Sequence, residues 1–93
     1  MDETSPERRA GHMYYVYILK SVNRNKTYVG STKNVDRRLQ DHNMGKSLFT
    51  SKFKPWKIIL TEKAKSNSDA RKREKFFKSG AGRKFIAKLL NNS

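Results

Sequence analysis

Six consecutive residues, Tyr14-Tyr15-Val16-Tyr17-Ile18-Leu19, set the first constraint on the fold. They are β-branched, aromatic or apolar throughout, and such a run bounded by polar residues reads as a strand. Ser21-Val22-Asn23-Arg24-Asn25-Lys26 follows, largely polar and with two asparagines that tolerate turn geometry. Thr27-Tyr28-Val29-Gly30 then resumes strand chemistry, so the segment reads as an antiparallel hairpin. Strand alternation points Tyr15, Tyr17 and Leu19 to one face and Val16 and Ile18 to the other. In the second strand Tyr28 and Gly30 share a face, opposite to Val29. A centred turn predicts Tyr17 directly across from Tyr28, with Gly30 beside the pair leaving room for close approach.

Further along, Asn34 is a candidate N-cap for a helix to about His42, ending near Asn43-Met44-Gly45. Val35, Arg38, Leu39 and His42 fall on one face of that helix, so two polar residues lie on its inward stripe. Residues 43–54 read as a basic loop. Trp56 to Leu60 reads as a third strand opened by Pro55, where a missing N–H is tolerated. Ser66-Asn67-Ser68 supplies cap candidates for a helix from about Asp69 to Lys78. Gly80 and Gly82 are expected to break it before a last helix from about Arg83 to Leu90, with Phe85, Ile86, Leu89 and Leu90 as its apolar set. The order β-β-α-β-α-α argues for an α+β domain, a small three-stranded antiparallel sheet flanked by helices.

A chain of 93 residues allows one domain, and with 34% hydrophobic residues its core must be small and reliant on aromatics. There is no cysteine, which removes disulfides, thiolate metal sites and thiol nucleophiles together. That absence fits a reducing compartment, and a cytoplasmic location is expected. No apolar run reaches the roughly 18–20 residues that span a bilayer. Residues 1–12 are polar and patternless, and Gly11-His12-Met13 resembles a cloning junction, so the segment reads as an expression tag or a disordered tail. The single domain is then residues 13–93. The whole chain carries 22 Lys+Arg against 8 Asp+Glu, a net charge of +14. Self-repulsion of this size destabilises a compact state, and a polyanion is the partner that offsets it. An anionic membrane is the weaker alternative, because no helix sets Lys and Arg opposite a continuous apolar face.

Glu74 shares a helical face with Ala70 and Phe77, although the same helix is dense with Arg71, Lys72, Arg73, Lys75 and Lys78. A carboxylate between two apolar neighbours is expected to point into the domain, where it needs a partner, a metal or a raised pKa. Each candidate taken alone has an ordinary explanation. Tyr17 and Tyr28 could be cross-strand packing, Arg38 a solvated charge, His42 a cap or surface residue, and Glu74 the i,i+4 partner of Lys78. Phe49, Phe53 and Trp56, interleaved with Lys46, Lys52, Lys54 and Lys57, resemble a stacking surface for unpaired bases, with core packing the safer reading for Trp56.

Tyr15-Val16-Tyr17, ten intervening residues and Tyr28-Val29-Gly30 resemble the paired motifs of the GIY-YIG nuclease domain. Ser31-Thr32-Lys33-Asn34-Val35-Asp36-Arg37-Arg38-Leu39 resembles that family's arginine-bearing helix, and Arg71-Lys72-Arg73-Glu74-Lys75 its glutamate-bearing helix. The chain is most similar to the small stand-alone bacterial members. The resemblance implies hydrolysis of a nucleic-acid phosphodiester with one divalent cation, Mg²⁺ or Mn²⁺, for which Glu74 would be the protein ligand. It implies that Arg38 holds the scissile phosphate, that Tyr17 and Tyr28 position the attacking water, and that His42 assists proton transfer. Which group is the base stays open. Lys33, Arg37, Lys46, Lys52, Lys54, Arg71, Lys72, Arg73 and Lys75 are the expected nucleic-acid contacts, positioning the backbone without reading sequence. DNA is expected over RNA, in a repair role, with structure or strand selectivity and weak sequence preference.

Three positions depart from the family pattern. The glycine that opens the first motif is Tyr15, a lysine found after the second motif in some members is Ser31, and the asparagine that follows the glutamate in larger members has no confident counterpart in Asn91 or Asn92. A basic nucleic-acid-binding module that keeps the fold but does not cleave is the main rival. An adaptor docking on an acidic protein is a third reading.

Overall fold

β1 (Tyr14–Ser21) is the middle strand, paired antiparallel with β2 (Thr27–Thr32) on one side and β3 (Trp56–Ala64) on the other. The computed structural model describes residues 13–91. The tag or tail expected over residues 1–12 lies outside them. α1 (Val35–Asn43) begins at Asn34, whose side-chain oxygen accepts the Arg37 N–H at 3.1 Å. α2 (Leu48–Ser51) is a single turn, α3 (Asn67–Lys78) is capped by the Ser66 hydroxyl, and α4 (Gly80–Asn91) follows after Ser79. Caps of this kind satisfy donors that the first helical turn leaves orphaned.

The alternation along β1 builds two cores. Val16 and Ile18, with Val29, pack against Ala70, Phe77 and Ile86 of α3 and α4. Tyr17 and Leu19 pack on the opposite face with Trp56, Tyr28, Val35, Leu39 and Ile58, under α1. A β-bulge divides β3 between these duties. Ile18 pairs with Leu60 and Leu19 with Ile58, so the intervening Ile59 joins Leu60 against the α3 and α4 core while Ile58 faces α1.

Four details differ from the sequence expectation. Tyr17 pairs with Gly30 and Leu19 with Tyr28, because the Ser21 N–H reaches the Lys26 carbonyl at 2.9 Å and places the turn one residue later. The pairing moves by two residues, which preserves the face. Tyr28 therefore stays beside Tyr17, with ring centroids 6.2 Å apart. β3 continues past Leu60 to Ala64 through polar residues that carry no apolar signal. The basic segment after α1 contains the turn α2, too short to show a helical period. Gly80 and Gly82 lie inside α4 and do not separate it from its start; Phe85 lies on its exposed side.

Gly82 is where α4 meets α3 most closely. A Cβ there would collide with the Phe76 carbonyl and the Phe77 backbone, whereas a Cβ on Gly80 meets nothing within 4 Å. Helix propensity alone favours alanine over glycine by about 1 kcal/mol, and overpacking a tight contact costs about 1–3 kcal/mol. The clash should win at Gly82. Urea denaturation should show Gly82→Ala losing about 1–2 kcal/mol while Gly80→Ala stays neutral or gains; a gain at both positions would mean that the helices do not touch as described.

Candidate active site

Tyr17 is 1% exposed, yet its hydroxyl travels outward, over the backbone of β2. A Cβ on Gly30 would stand 2.6 Å from the Tyr17 hydroxyl oxygen and 2.8 Å from Cζ. Glycine at position 30 is thus the opening through which the phenol crosses the edge strand. Behind the hydroxyl sits His42, 1% exposed, with Nε2 at 3.1 Å from Tyr17 Oη. Its Nδ1 lies 2.9 Å from the hydroxyl of Thr50, which is itself fully buried. Thr50 is anchored in turn by its carbonyl, which accepts the Trp56 indole N–H at 2.8 Å. The ring of Tyr28 packs 4.8 Å from the imidazole.

Arg38, one turn before His42, sends its guanidinium toward the Tyr17 phenol and to Asp41 Oδ2 at 3.3 Å. Lys46 shares Asp41 at 3.3 Å. Burial raises the pKa of Tyr17, the Arg38 hydrogen bond opposes that rise, and electrostatic repulsion from Tyr28 and Glu74 adds to it. Tyr17 is therefore a protonated phenol at neutral pH. Burial lowers the pKa of His42, and the Arg38 charge lowers it further. A neutral imidazole beside a protonated phenol is a donor–acceptor pair with one proton between its two heavy atoms.

Glu74 comes from the other face. Its Oε1 accepts the Ser31 hydroxyl at 2.9 Å and its Oε2 the Lys78 ammonium at 2.9 Å. Ser31 pairs opposite Val16 and so shares the α3 side of the sheet, whereas Gly30 pairs opposite Tyr17 on the α1 side. Tyr17 and Glu74 thus approach β2 from opposite faces at adjacent residues, Gly30 and Ser31. Both the inward carboxylate and the i,i+4 pair with Lys78 expected from the sequence are present at once.

Among the described residues no three His, Cys, Asp or Glu side chains gather into a metal cluster. A divalent ion at this edge would have Glu74 as its single carboxylate, with Ser31 steering one oxygen. That donor set suits Mg²⁺ or Mn²⁺, which keep waters and take further oxygens from a phosphate, and does not suit a structural zinc site. Arg71, Lys75 and Lys78 line the cleft around Glu74. These cations oppose a bare metal ion and favour a phosphate that arrives with one.

The expected nucleic-acid contacts divide. Arg37, Lys52, Lys54, Arg71, Lys72 and Lys75 are exposed. Lys33 lies over the Tyr14 ring at 5.4 Å and lines a cleft with Tyr15 and Asn34. Lys46 is engaged by Asp41. Arg73 makes two hydrogen bonds to Glu62, at 2.9 and 3.1 Å, and covers the Phe76 and Phe77 rings. Of the aromatic trio, Trp56 is buried and Phe53 half-buried, which leaves Phe49 presenting a ring to solvent. Sequence reasoning missed Thr50 and Ser31. For Ser31 the open lysine position was a signal; for Thr50, inside a basic segment, there was none.

A family model for the GIY-YIG catalytic domain matches residues 13–85. The chain is 42% identical over 59 residues to a structure-specific endonuclease subunit SLX1 homolog of Drosophila mojavensis, a match that spans 54% of this chain and 20% of that longer protein. It is 40% identical over 62 residues to a UPF0213 protein of Syntrophus aciditrophicus, spanning 64% of this chain and 70% of that one. The solution NMR structure of the UPF0213 protein BH0048 from Bacillus halodurans covers 83% of this chain and 84% of its own at 30% identity, with a TM-score of 0.49.

The lowered pKa of His42 makes stability depend on pH. An unfolded histidine takes up a proton near pH 6.5, while the folded site refuses it until lower pH. His42 therefore contributes stability that is present above that value and is lost as pH falls through it toward the folded pKa, by at most about 1.4 kcal/mol per pH unit. Urea melts of wild type and His42→Gln at pH 7.5, 6.5 and 5.5 should show their difference shrinking with acid. Parallel curves would mean that His42 is not held neutral.

Proposed function

The chain belongs to the GIY-YIG family of catalytic domains, and from that premise we propose that it is a divalent-metal-dependent endonuclease or nickase that hydrolyses phosphodiester bonds in DNA. The observation that carries this reading is that the Tyr17 hydroxyl and the Glu74 carboxylate reach adjacent residues of one edge strand from opposite faces, the first over Gly30 and the second at Ser31. A purely binding module has no use for an acid among cations that attract phosphate.

Each group then has a task its environment suits. Arg38, with 40% of its side chain exposed, donates to the scissile phosphate and offsets the charge that develops in the transition state. Tyr17 and Tyr28 hold the attacking water in line. As the water attacks phosphorus, its proton passes to the Tyr17 oxygen while the phenol proton moves to Nε2 of neutral His42, and the P–O bond to the departing sugar oxygen breaks, that oxygen taking a proton from solvent. Thr50 accepts from the Nδ1–H and so fixes the tautomer that leaves Nε2 free to receive. Glu74 would hold a divalent ion, Mg²⁺ or Mn²⁺, whose charge would lower the barrier by drawing electron density from the phosphate. Ser31 keeps the carboxylate turned to the edge. Lys78, 56% exposed, would give up its contact with Glu74 to such an ion and could then reach phosphate.

The similarity to a structure-specific endonuclease subunit supports selectivity for substrate shape, and a repair role follows from that selectivity. The basic surface supports weak sequence preference. A cytoplasmic location, argued from the absence of cysteine, belongs to the same reading.

Labelled single-stranded, duplex and branched DNA, with RNA counterparts, tests this in Mg²⁺, Mn²⁺ or EDTA. Wild type should cut DNA only with metal, and Glu74→Ala should lose about 10²–10³-fold or more. Gly30→Ala changes no reacting group but displaces the Tyr17 hydroxyl, so it should fall at least about 10²-fold, as Tyr17→Phe does. Binding without cutting in every metal, at equal strength for wild type and Glu74→Ala, would leave a basic binding module on this fold.

A further inference from the structure

Three clefts with shared walls follow one another from α3 onto the outer edge of β2. The first, about 270 Å³, lies on α3, where it surrounds Glu74 and includes Lys78. Lys78 is also a wall of the second, about 210 Å³, which runs past Tyr28 and Val29 over Phe77 to Arg83. Thr27, Arg83 and Ile86 continue into the third, about 400 Å³, closed at its far end by Lys26 and Phe49. We propose that this groove receives an unpaired strand of the nucleic-acid substrate, the segment flanking the scissile phosphate, with Phe49 stacking on one of its bases. The inference deepens the nuclease reading and rests on it for the meaning of the Glu74 end.

The chemistry of the walls selects the occupant. Lys78, Arg83 and Lys26 recur along the length, and among the described residues no carboxylate beyond Glu74 lines any of the three clefts. Among the described residues neither Arg83 nor Lys26 has a carboxylate partner. Between the cations the floor is apolar, formed by Val29, Phe77 and Ile86. Spaced cations over an apolar floor with an exposed ring match a sugar–phosphate backbone whose bases are turned toward protein. A duplex cannot use that floor, because its bases are already stacked on one another. An acidic peptide would use the cations but would leave Phe49 idle.

Phe49 is placed for stacking. It is 50% exposed, backed on one side by Phe53 at 5.3 Å between centroids and by Tyr28 at 6.4 Å. Tyr28 in turn packs on His42. The neighbouring Leu48 and Met44 are 88% and 67% exposed. Met44 at the end of α1 and Leu48 on the single turn α2 are apolar side chains held in water, and no core packing explains their exposure. A ring braced by two others loses little freedom when a base settles on it, which is the condition for a favourable stack.

The test is binding in EDTA, so it does not depend on cleavage. Fluorescence anisotropy would follow wild type, Phe49→Ala, Phe49→Trp and Arg83→Ala against a 12-nucleotide oligothymidylate and a blunt 20-base-pair duplex. Phe49→Ala should weaken single-strand binding about tenfold, as one lost base–aromatic stack would, with duplex binding within twofold, and Phe49→Trp should restore it. Arg83→Ala should reduce the slope of log K against log salt by about 0.7 on the single strand. A 2-aminopurine in the oligonucleotide should be quenched by wild type and not by Phe49→Ala. Equal affinity of all four proteins for the single strand, or equal losses on single strand and duplex, would overturn the groove. Should Phe49→Ala fail to fold, the Arg83→Ala slope and the Phe49→Trp quenching decide alone. Cleavage with unchanged binding sinks only the groove; the predicted binding without cleavage sinks only the nuclease reading.

Discussion

The alternation of side chains along β1 is the constraint on which the rest of the structure depends. As the middle strand it has no solvent face, so Val16 and Ile18 must find one core while Tyr17 and Leu19 find another. Full burial of a side chain such as Val, Ile or Leu is worth about 1.5–3 kcal/mol, so four neighbouring residues commit the sheet to two helical layers. A slip of one residue would exchange the faces and put Ile18 where the phenol belongs. Packing and chemistry are fixed by the same register.

The reacting groups are then sorted by depth. Tyr17 and His42 are buried and neutral, Arg38 and Glu74 are partly exposed and charged. A charged pair in place of the first two would pay a desolvation cost at the centre of the smaller core. Neutral partners avoid that cost and stand in one hydrogen-bonded line from Tyr17 through His42 to Thr50. Charge is confined to the rim, where it keeps its water. Arg73 is as exposed as Arg38 but is held elsewhere, by Glu62 and the Phe76 and Phe77 rings.

Much of this was legible in the sequence because it rests on short periods. The hairpin, the face shared by Tyr17 and Tyr28, the N-cap at Asn34 and the inward stripe of α1 all follow from alternation, helical spacing or a capping preference. The three-stranded antiparallel sheet and its helices stand as expected. What escaped depends on contacts between distant segments. Nothing local to Thr50 says that its hydroxyl meets His42, and nothing near Ser31 says that it meets Glu74. Gly82 looked like a helix breaker because propensity is a local quantity, whereas its small size serves the contact between α3 and α4. The hairpin register was missed by one residue in the turn, an error that the even period of strands forgave. Gly30 was read as room for a neighbour, and it proved to be the passage of the phenol itself.

A sheet edge open to a ligand is open to other strands as well. Among the described residues β2 borders no further strand, and bare edges of this kind template association between copies of a chain. Lys26, Lys78 and Arg83 stand along that edge like gatekeepers, and two molecules at +14 repel before their edges can align. Colloidal stability is thus borrowed from the residues that face the polyanion. Neutralising them, by mutation to acid or by a bound polyphosphate that leaves the edge exposed, removes the barrier to edge-to-edge pairing, so solubility and substrate affinity in this domain cannot be tuned apart.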